Sequence, residues 1–146
     1  MIDVLVSALD REDLAGEIRT AVEETARECG FSDGEISVAL LDDVQMQAMN
    51  RDHLGHDYIT DVISFGLWDE GEPVVGDIYI GVEQAARQAV DAGVQADHEV
   101  LRLAVHGTLH VLGWEHPDSA EDRAESAMYQ LQERILHSLT VPGPGG

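Results

Sequence analysis

The segment from Asp97 to Leu112 constrains the fold more than any other part of this chain. Val100, Leu101, Leu103, Ala104, Val105, Leu109, Val111 and Leu112 cover nearly every face of a helix of that length, the pattern of a helix enclosed by protein rather than lying on its surface. The other elements must therefore wrap around it. His106 and His110 interrupt this apolar surface. Four residues apart, they share one face about 6 Å apart along the axis, the separation at which two imidazoles reach one ion. Core histidines satisfied by backbone carbonyls are the alternative, an awkward one for two polar rings on one face of an apolar helix. Gly107 costs about 1 kcal/mol in a helix interior and predicts close approach of another backbone.

Gly113 follows three residues after His110. Near a helix end, glycine takes the left-handed conformation that turns the chain back, which brings His116 toward the same ion as a third ligand. Three histidines leave one tetrahedral position open, the arrangement of a catalytic rather than a structural zinc site. A chance H-x3-H-x5-H match is expected in about 2% of chains of this histidine content, before the helix and the glycine are required. Cys29 is the single cysteine. It can form neither an internal disulfide nor a thiolate cluster, so a metal here falls to histidines or carboxylates.

Around this helix the chain reads as one domain over residues 1–140, with a frayed, flexible tail at 141–146. Ile2, Val4 and Val6 alternate with Asp3 and Ser7 in a first strand. Asp10 is placed to cap a helix carrying Leu14, Ile18, Ala21, Val22 and Thr25 on one stripe, stopped by Gly30. Glu35 to Leu41 is a second strand, and Asp42 caps a helix through Val44, Met46 and Met49. Two short apolar runs, Asp61 to Phe65 and Val74 to Ile80, are separated by turn residues and predict an antiparallel pair. A helix from Val82 turns Ala85, Ala86, Ala89 and Val90 inward and ends at Gly93, and a last one from Ala120 to Leu139 turns in Met128, Leu131, Ile135 and Leu139. The class is α+β: a mixed sheet of about four strands packed by helices.

Composition narrows the partners. Among 146 residues, 29 acids face 8 basic residues, all arginine, for a net charge of −21. Such a surface repels phosphate backbones except where arginine or a metal is concentrated. It suits a salt-rich cytoplasm, where screening relieves the repulsion, while a nucleotide bias toward arginine explains the missing lysine but not the excess of acids. No run is long and apolar enough to span a membrane, and the N-terminus lacks the basic flank of a signal peptide, so a cytoplasmic protein is expected.

The H-x3-H-x5-H spacing equals that of the metzincin proteases, but Gly107 stands where their catalytic glutamate would. The run His106-Gly107-Thr108-Leu109-His110-Val111-Leu112-Gly113-Trp114-Glu115-His116 instead resembles the H-G-x-L-H-L-x-G-y-D-H signature of the YbeY family of bacterial endoribonucleases. The resemblance extends over Asn50, Asp57 and Thr60-Asp61-Val62-Ile63-Ser64-Phe65, over Gly76-Asp77-Ile78, and into the closing helix at Glu125, Met128, Glu133 and Ile135-Leu136. It implies a zincin-like (metzincin-like) fold with a mixed four-stranded sheet and about five helices. It implies one Zn2+ per chain held by His106, His110 and His116, above a cleft floored by Thr60, Asp61, Ser64, Phe65 and Asp77. The implied activity is zinc-dependent, single-strand-specific RNA cleavage in 3′-end maturation of small-subunit (16S) ribosomal RNA and in ribosome quality control, with ribosomal RNA and the small subunit as partners.

The departures from that pattern matter. Many members carry Tyr-Arg where this chain has His53-Leu54, and Arg51, one turn earlier, is the candidate substitute. His56 and His53 lie near the expected cleft, while Glu115 and Asp118 are candidate auxiliary bases or partners fixing a ligand tautomer. Trp114 serves either the core or base stacking. Two alternatives stay open: a metal-bearing, ribosome-associated binding factor with little catalysis, and a zinc metallopeptidase, which Gly107 disfavours.

Overall fold

The computed structural model describes residues 1–115 and 126–140. Its elements are β1 (Ile2–Ser7), α1 (Glu12–Glu28), β2 (Gly34–Leu41), α2 (Asp43–Leu54), β3 (Val62–Gly66), β4 (Val74–Gly81), α3 (Val82–Ala92), α4 (Ala96–Val111) and α5 (Ala127–Thr140). The expected tail at 141–146, and the part of the last helix expected at 120–125, lie outside the described residues.

The strands form one mixed sheet in the order β1-β2-β4-β3. β1 and β2 are parallel, as are β2 and β4, which the helical crossovers between them permit; β3 runs antiparallel to β4 along the edge. Register sets the faces. Val4 pairs with Ile36, Val38 with Ile78 and Leu40 with Ile80, so the apolar set of each strand lies on one side. On β3 the same face carries Val62, opposite Ile80, and Ser64, opposite Ile78.

Helix α4 lies on that face and also packs against α1, α3 and α5. Its residues Val100, Ala104, Val105, Leu109 and Val111 are buried, as the sequence pattern requires. The close approach predicted at Gly107 exists, but to side chains rather than to a backbone. A β-carbon there would stand 2.8 Å from Ile78 Cγ2 and 3.3 Å from Val62 Cγ2, so glycine lets the helix settle onto β3 and β4.

The α2 cap forms as expected. Asp42 accepts from the Gln45 backbone N–H and Gln45 returns the bond in a capping box. At α1 the expected cap does not form: Leu9 takes a positive φ of 56°, and the helix starts after Arg11 with no side-chain cap, leaving Asp10 in the preceding turn. Val90 also differs from expectation. It is exposed, because α3 buries only Ala85 and Ala89, and a residue following Ala89 is rotated about 100° away from that contact. No helix among the described residues is long and apolar enough to cross a membrane.

Candidate metal centre

The two α4 histidines meet at the end of their helix. His106 and His110 bring their Nε2 atoms to 3.1 Å, with ring centroids 4.6 Å apart and planes at 79°. Both outer nitrogens have oxygen partners. His110 Nδ1 donates to the Trp114 carbonyl at 2.8 Å, and His106 Nδ1 to Gln132 Oε1 on α5 at 2.6 Å.

Local sequence explains the first of these contacts. Gly113, at φ 104°, turns the chain back after α4, so that Trp114 N–H bonds to Leu109 O and Gly113 N–H to His110 O, both at 3.0 Å. That double closure is the Schellman arrangement, and it carries the Trp114 carbonyl over the His110 ring. Trp68 donates from Nε1 to Val111 O at 2.7 Å, satisfying another helix-end carbonyl.

Each Nδ1 faces an oxygen, so each neutral ring holds its proton there and its lone pair on Nε2. Two lone pairs facing each other at 3.1 Å repel unless a cation lies between them. Two nitrogens 2.0–2.1 Å from one tetrahedral zinc are about 3.3 Å apart. The donors present therefore fit a zinc-class ion. His116, expected as the third ligand, and Asp118 lie outside the described residues; among those described, no group of three His, Cys, Asp or Glu side chains gathers at one point.

A cleft of about 620 Å³ opens beside the pair, lined by Tyr58, Thr60, Asp61, Ser64, Trp114 and Glu115 as well as both histidines. The expected floor residues divide by strand parity. Ser64 faces the cleft with Val62, whereas Phe65 pairs with Asp77 on the opposite face of the sheet. There Phe65 meets Tyr79 and His53, at 6.2 and 5.8 Å between centroids, and Asp77 lines a separate groove with β1 and β2. Burial and the charge of Asp77 raise the Tyr79 phenol above its ordinary value. Phe65 and Asp77 thus leave the candidate cleft, because successive residues on a strand point to opposite sides.

Arg51 is exposed and paired with Asp52 at 3.1 Å, and it does not line the cleft. Leu54 does, in the place where the family pattern carries arginine. His56 lies against Tyr58 at the mouth, 5.5 Å between rings, and buried Asn50 holds that loop by donating to Tyr58 O at 3.0 Å. Asp61 Oδ1 accepts from Val62 N–H at 2.8 Å. Cys29 sits at the end of α1, its thiol pushed up by burial, in a groove with Phe31 and Trp114. Gln132 was not among the residues singled out from sequence. Its signal was a polar side chain on the inward face of α5, beside Met128, Ile135 and Leu136.

Comparison with known proteins bears on the family and the fold. The family model described as Endoribonuclease YbeY matches residues 5–140. Endoribonuclease YbeY of Bacillus licheniformis is 38% identical over 138 residues, covering 86% of this chain and 85% of its own. That of Thermus thermophilus is 34% identical over 140 residues, covering 93% and 99%. A solution structure from Thermotoga maritima superposes with a TM-score of 0.67 at 22% identity, over 100% of this chain and 99% of that one, which bears on the fold. Family model and relatives together place the chain in the endoribonuclease YbeY family, and it is a nuclease of the hydrolase class.

Proposed function

We propose that this endoribonuclease is zinc-dependent and cuts single-stranded RNA, acting in the cytoplasm on the 3′ end of small-subunit (16S) ribosomal RNA and in quality control of the small subunit. The observation that carries the zinc assignment is the approach of the two Nε2 atoms to 3.1 Å while each Nδ1 faces an oxygen, which puts both lone pairs on Nε2. His106, His110 and His116 would hold one ion per chain. When bound, zinc supplies a Lewis acid beside the scissile phosphate.

The chain's own groups divide the remaining work. Two carboxylates, Asp61 and Glu115, line the described cleft. Asp61 has one oxygen, Oδ1, turned onto the Val62 N–H, and Glu115, exposed at the rim, is assigned as the group that takes a proton from the RNA 2′-hydroxyl as that oxygen bonds to phosphorus and the 5′-oxygen of the next nucleotide leaves. The hydroxyls of Thr60 and Ser64 are neutral donors for phosphate oxygens, and Tyr58 offers a ring for a splayed base. No arginine lines the described cleft. That favours a slow enzyme, and at its limit the binding-factor reading. A peptidase is disfavoured because position 107 faces Ile78 and Val62 in the sheet and has no room for a base.

Elemental analysis of the purified protein, paired with cleavage assays on single-stranded RNA, duplex RNA and casein, tests the reading. We expect one zinc per chain and cleavage of single-stranded RNA alone. His110→Ala should lose both metal and cleavage; full zinc occupancy in that variant rejects the site, and zinc without cleavage selects the binding factor.

A further inference from the structure

The contact between His106 and α5 continues into a network with no part in the reading above. Gln132, 5% exposed, donates from Nε2 to Glu133 Oε2 at 3.0 Å. Glu133 receives Arg102 through both oxygens, at 3.0 and 3.1 Å. Arg102 also donates to Glu99 at 2.9 Å, and the second oxygen of Glu99, itself 5% exposed, accepts from Gln88 at 3.0 Å. The chain of bonds thus runs from α5 through α4 to α3.

This network resolves which way the Gln132 amide points. A carboxylate only accepts, so the amide atom facing Glu133 is the NH2 group. The atom 2.6 Å from His106 Nδ1 is therefore the oxygen, which requires the imidazole proton to be on Nδ1. Arg102, paired in two places, keeps Glu133 an acceptor. Were the amide absent, His106 would be able to carry its proton on Nε2 and donate it to His110 Nε2, 3.1 Å away, closing the pair as an ordinary hydrogen bond.

We propose that Gln132 is a positioning residue for the metal centre: held by Glu133, Arg102 and Glu99, its amide oxygen fixes His106 as the Nδ1–H tautomer and turns the Nε2 lone pair into the cleft. The proposal rests on the metal reading for its purpose, but the tautomer is a property of the metal-free protein. His110 is an internal control, because its Nδ1 partner is a backbone carbonyl that no α5 substitution removes.

The test combines long-range 1H–15N spectra of the metal-free full chain at mildly alkaline pH with zinc affinity measured against a chromophoric chelator. In the parent both histidines should show Nδ1–H. In Gln132→Met, His106 should move to Nε2–H while His110 stays unchanged, and zinc affinity should fall about 10- to 100-fold. Gln132→Glu, which keeps an acceptor, should retain the His106 tautomer. If Gln132→Met does not fold, Glu133→Gln is read in the same assays and should lower the Nδ1–H population of His106. An unchanged His106 tautomer with zinc affinity within twofold of the parent, in whichever variant folds, overturns the proposal. A parent that shows the tautomers and their response to Gln132→Met but binds no zinc rejects the metal reading alone, and leaves the hold of Gln132 on His106 standing.

Discussion

Ile78 Cγ2 lies 2.8 Å from where a β-carbon on residue 107 would stand, and the β-branched side chain of Ile78 has little freedom to swing aside. Helix propensity alone makes Gly107→Ala favourable by about 1 kcal/mol. Overpacking against a sheet opposes it by about 1–3 kcal/mol, so the net expectation is loss of stability, read as a lower urea midpoint with an unchanged slope. Ile78→Val, which relieves crowding elsewhere on that side chain but keeps Cγ2, should restore little of it. The division of the cleft residues is also decided one residue at a time. Asp77→Asn and Phe65→Leu, on the far face of the sheet, should leave RNA cleavage and zinc affinity within twofold of the parent, whereas Ser64→Ala, on the cleft face, should slow RNA cleavage severalfold with zinc affinity retained. Equal effects from both faces would show that the reacting strand does not lie where β3 meets α4. From sequence, residues 60–65 were expected to floor a cleft as one segment; the structure lines the candidate cleft with 60–64 and turns Phe65 away, and which face of the sheet meets the cleft is fixed by the register against β4 and not by the strand's own pattern.

At the scale of elements, the end of α4 is the most consequential piece of local structure. Gly113 has φ 104°, a conformation that strains any residue with a side chain, and the turn it makes supplies the carbonyl that holds His110. Gly113→Ala should therefore cost about 1–2 kcal/mol in stability and also weaken zinc binding, while Gly93→Ala, at the end of α3 and remote from the histidines, should cost stability with zinc affinity unchanged. Chelator competition and thermal unfolding on the two variants separate these effects. This ending was legible in the sequence, since glycine after an apolar helix has few other uses. So was the α2 cap, where Asp42 and Gln45 stand at the spacing of a capping box. The α1 start was not, because the chain reverses at Leu9 and Arg11 instead ties the helix to α4 through Asp97, at 2.7 Å. Gln132 was hidden for a related reason: an inward glutamine on α5 acquires meaning only when α5 packs on α4 and brings it to His106.

For the whole molecule the governing quantity is the net charge of −21, from 29 acids and 8 arginines. The described arginines are already largely committed: Arg11, Arg27, Arg51, Arg87, Arg102 and Arg134 each stand within ion-pairing distance of a carboxylate. Salt acts on this surface in two opposed ways. It weakens the exposed pairs, which contribute little individually, and it shortens the range over which the surplus carboxylates repel one another. With more than three acids for each arginine, the second effect prevails. The melting temperature should rise by roughly 5 °C or more between low and molar monovalent salt, equivalent to about 1–2 kcal/mol for a domain of this size. RNA affinity should fall only slightly over the same range, because a cleft without a described arginine forms few contacts that release counterions from a phosphate backbone. Calorimetric scans and fluorescence-anisotropy titrations with a single-stranded oligonucleotide across that salt series measure the two slopes independently. A melting temperature that stays flat or falls would show that the acids are spaced widely enough not to interact, which removes salt adaptation as the reason for them. A steep loss of RNA affinity would place cations against the strand somewhere outside the described cleft.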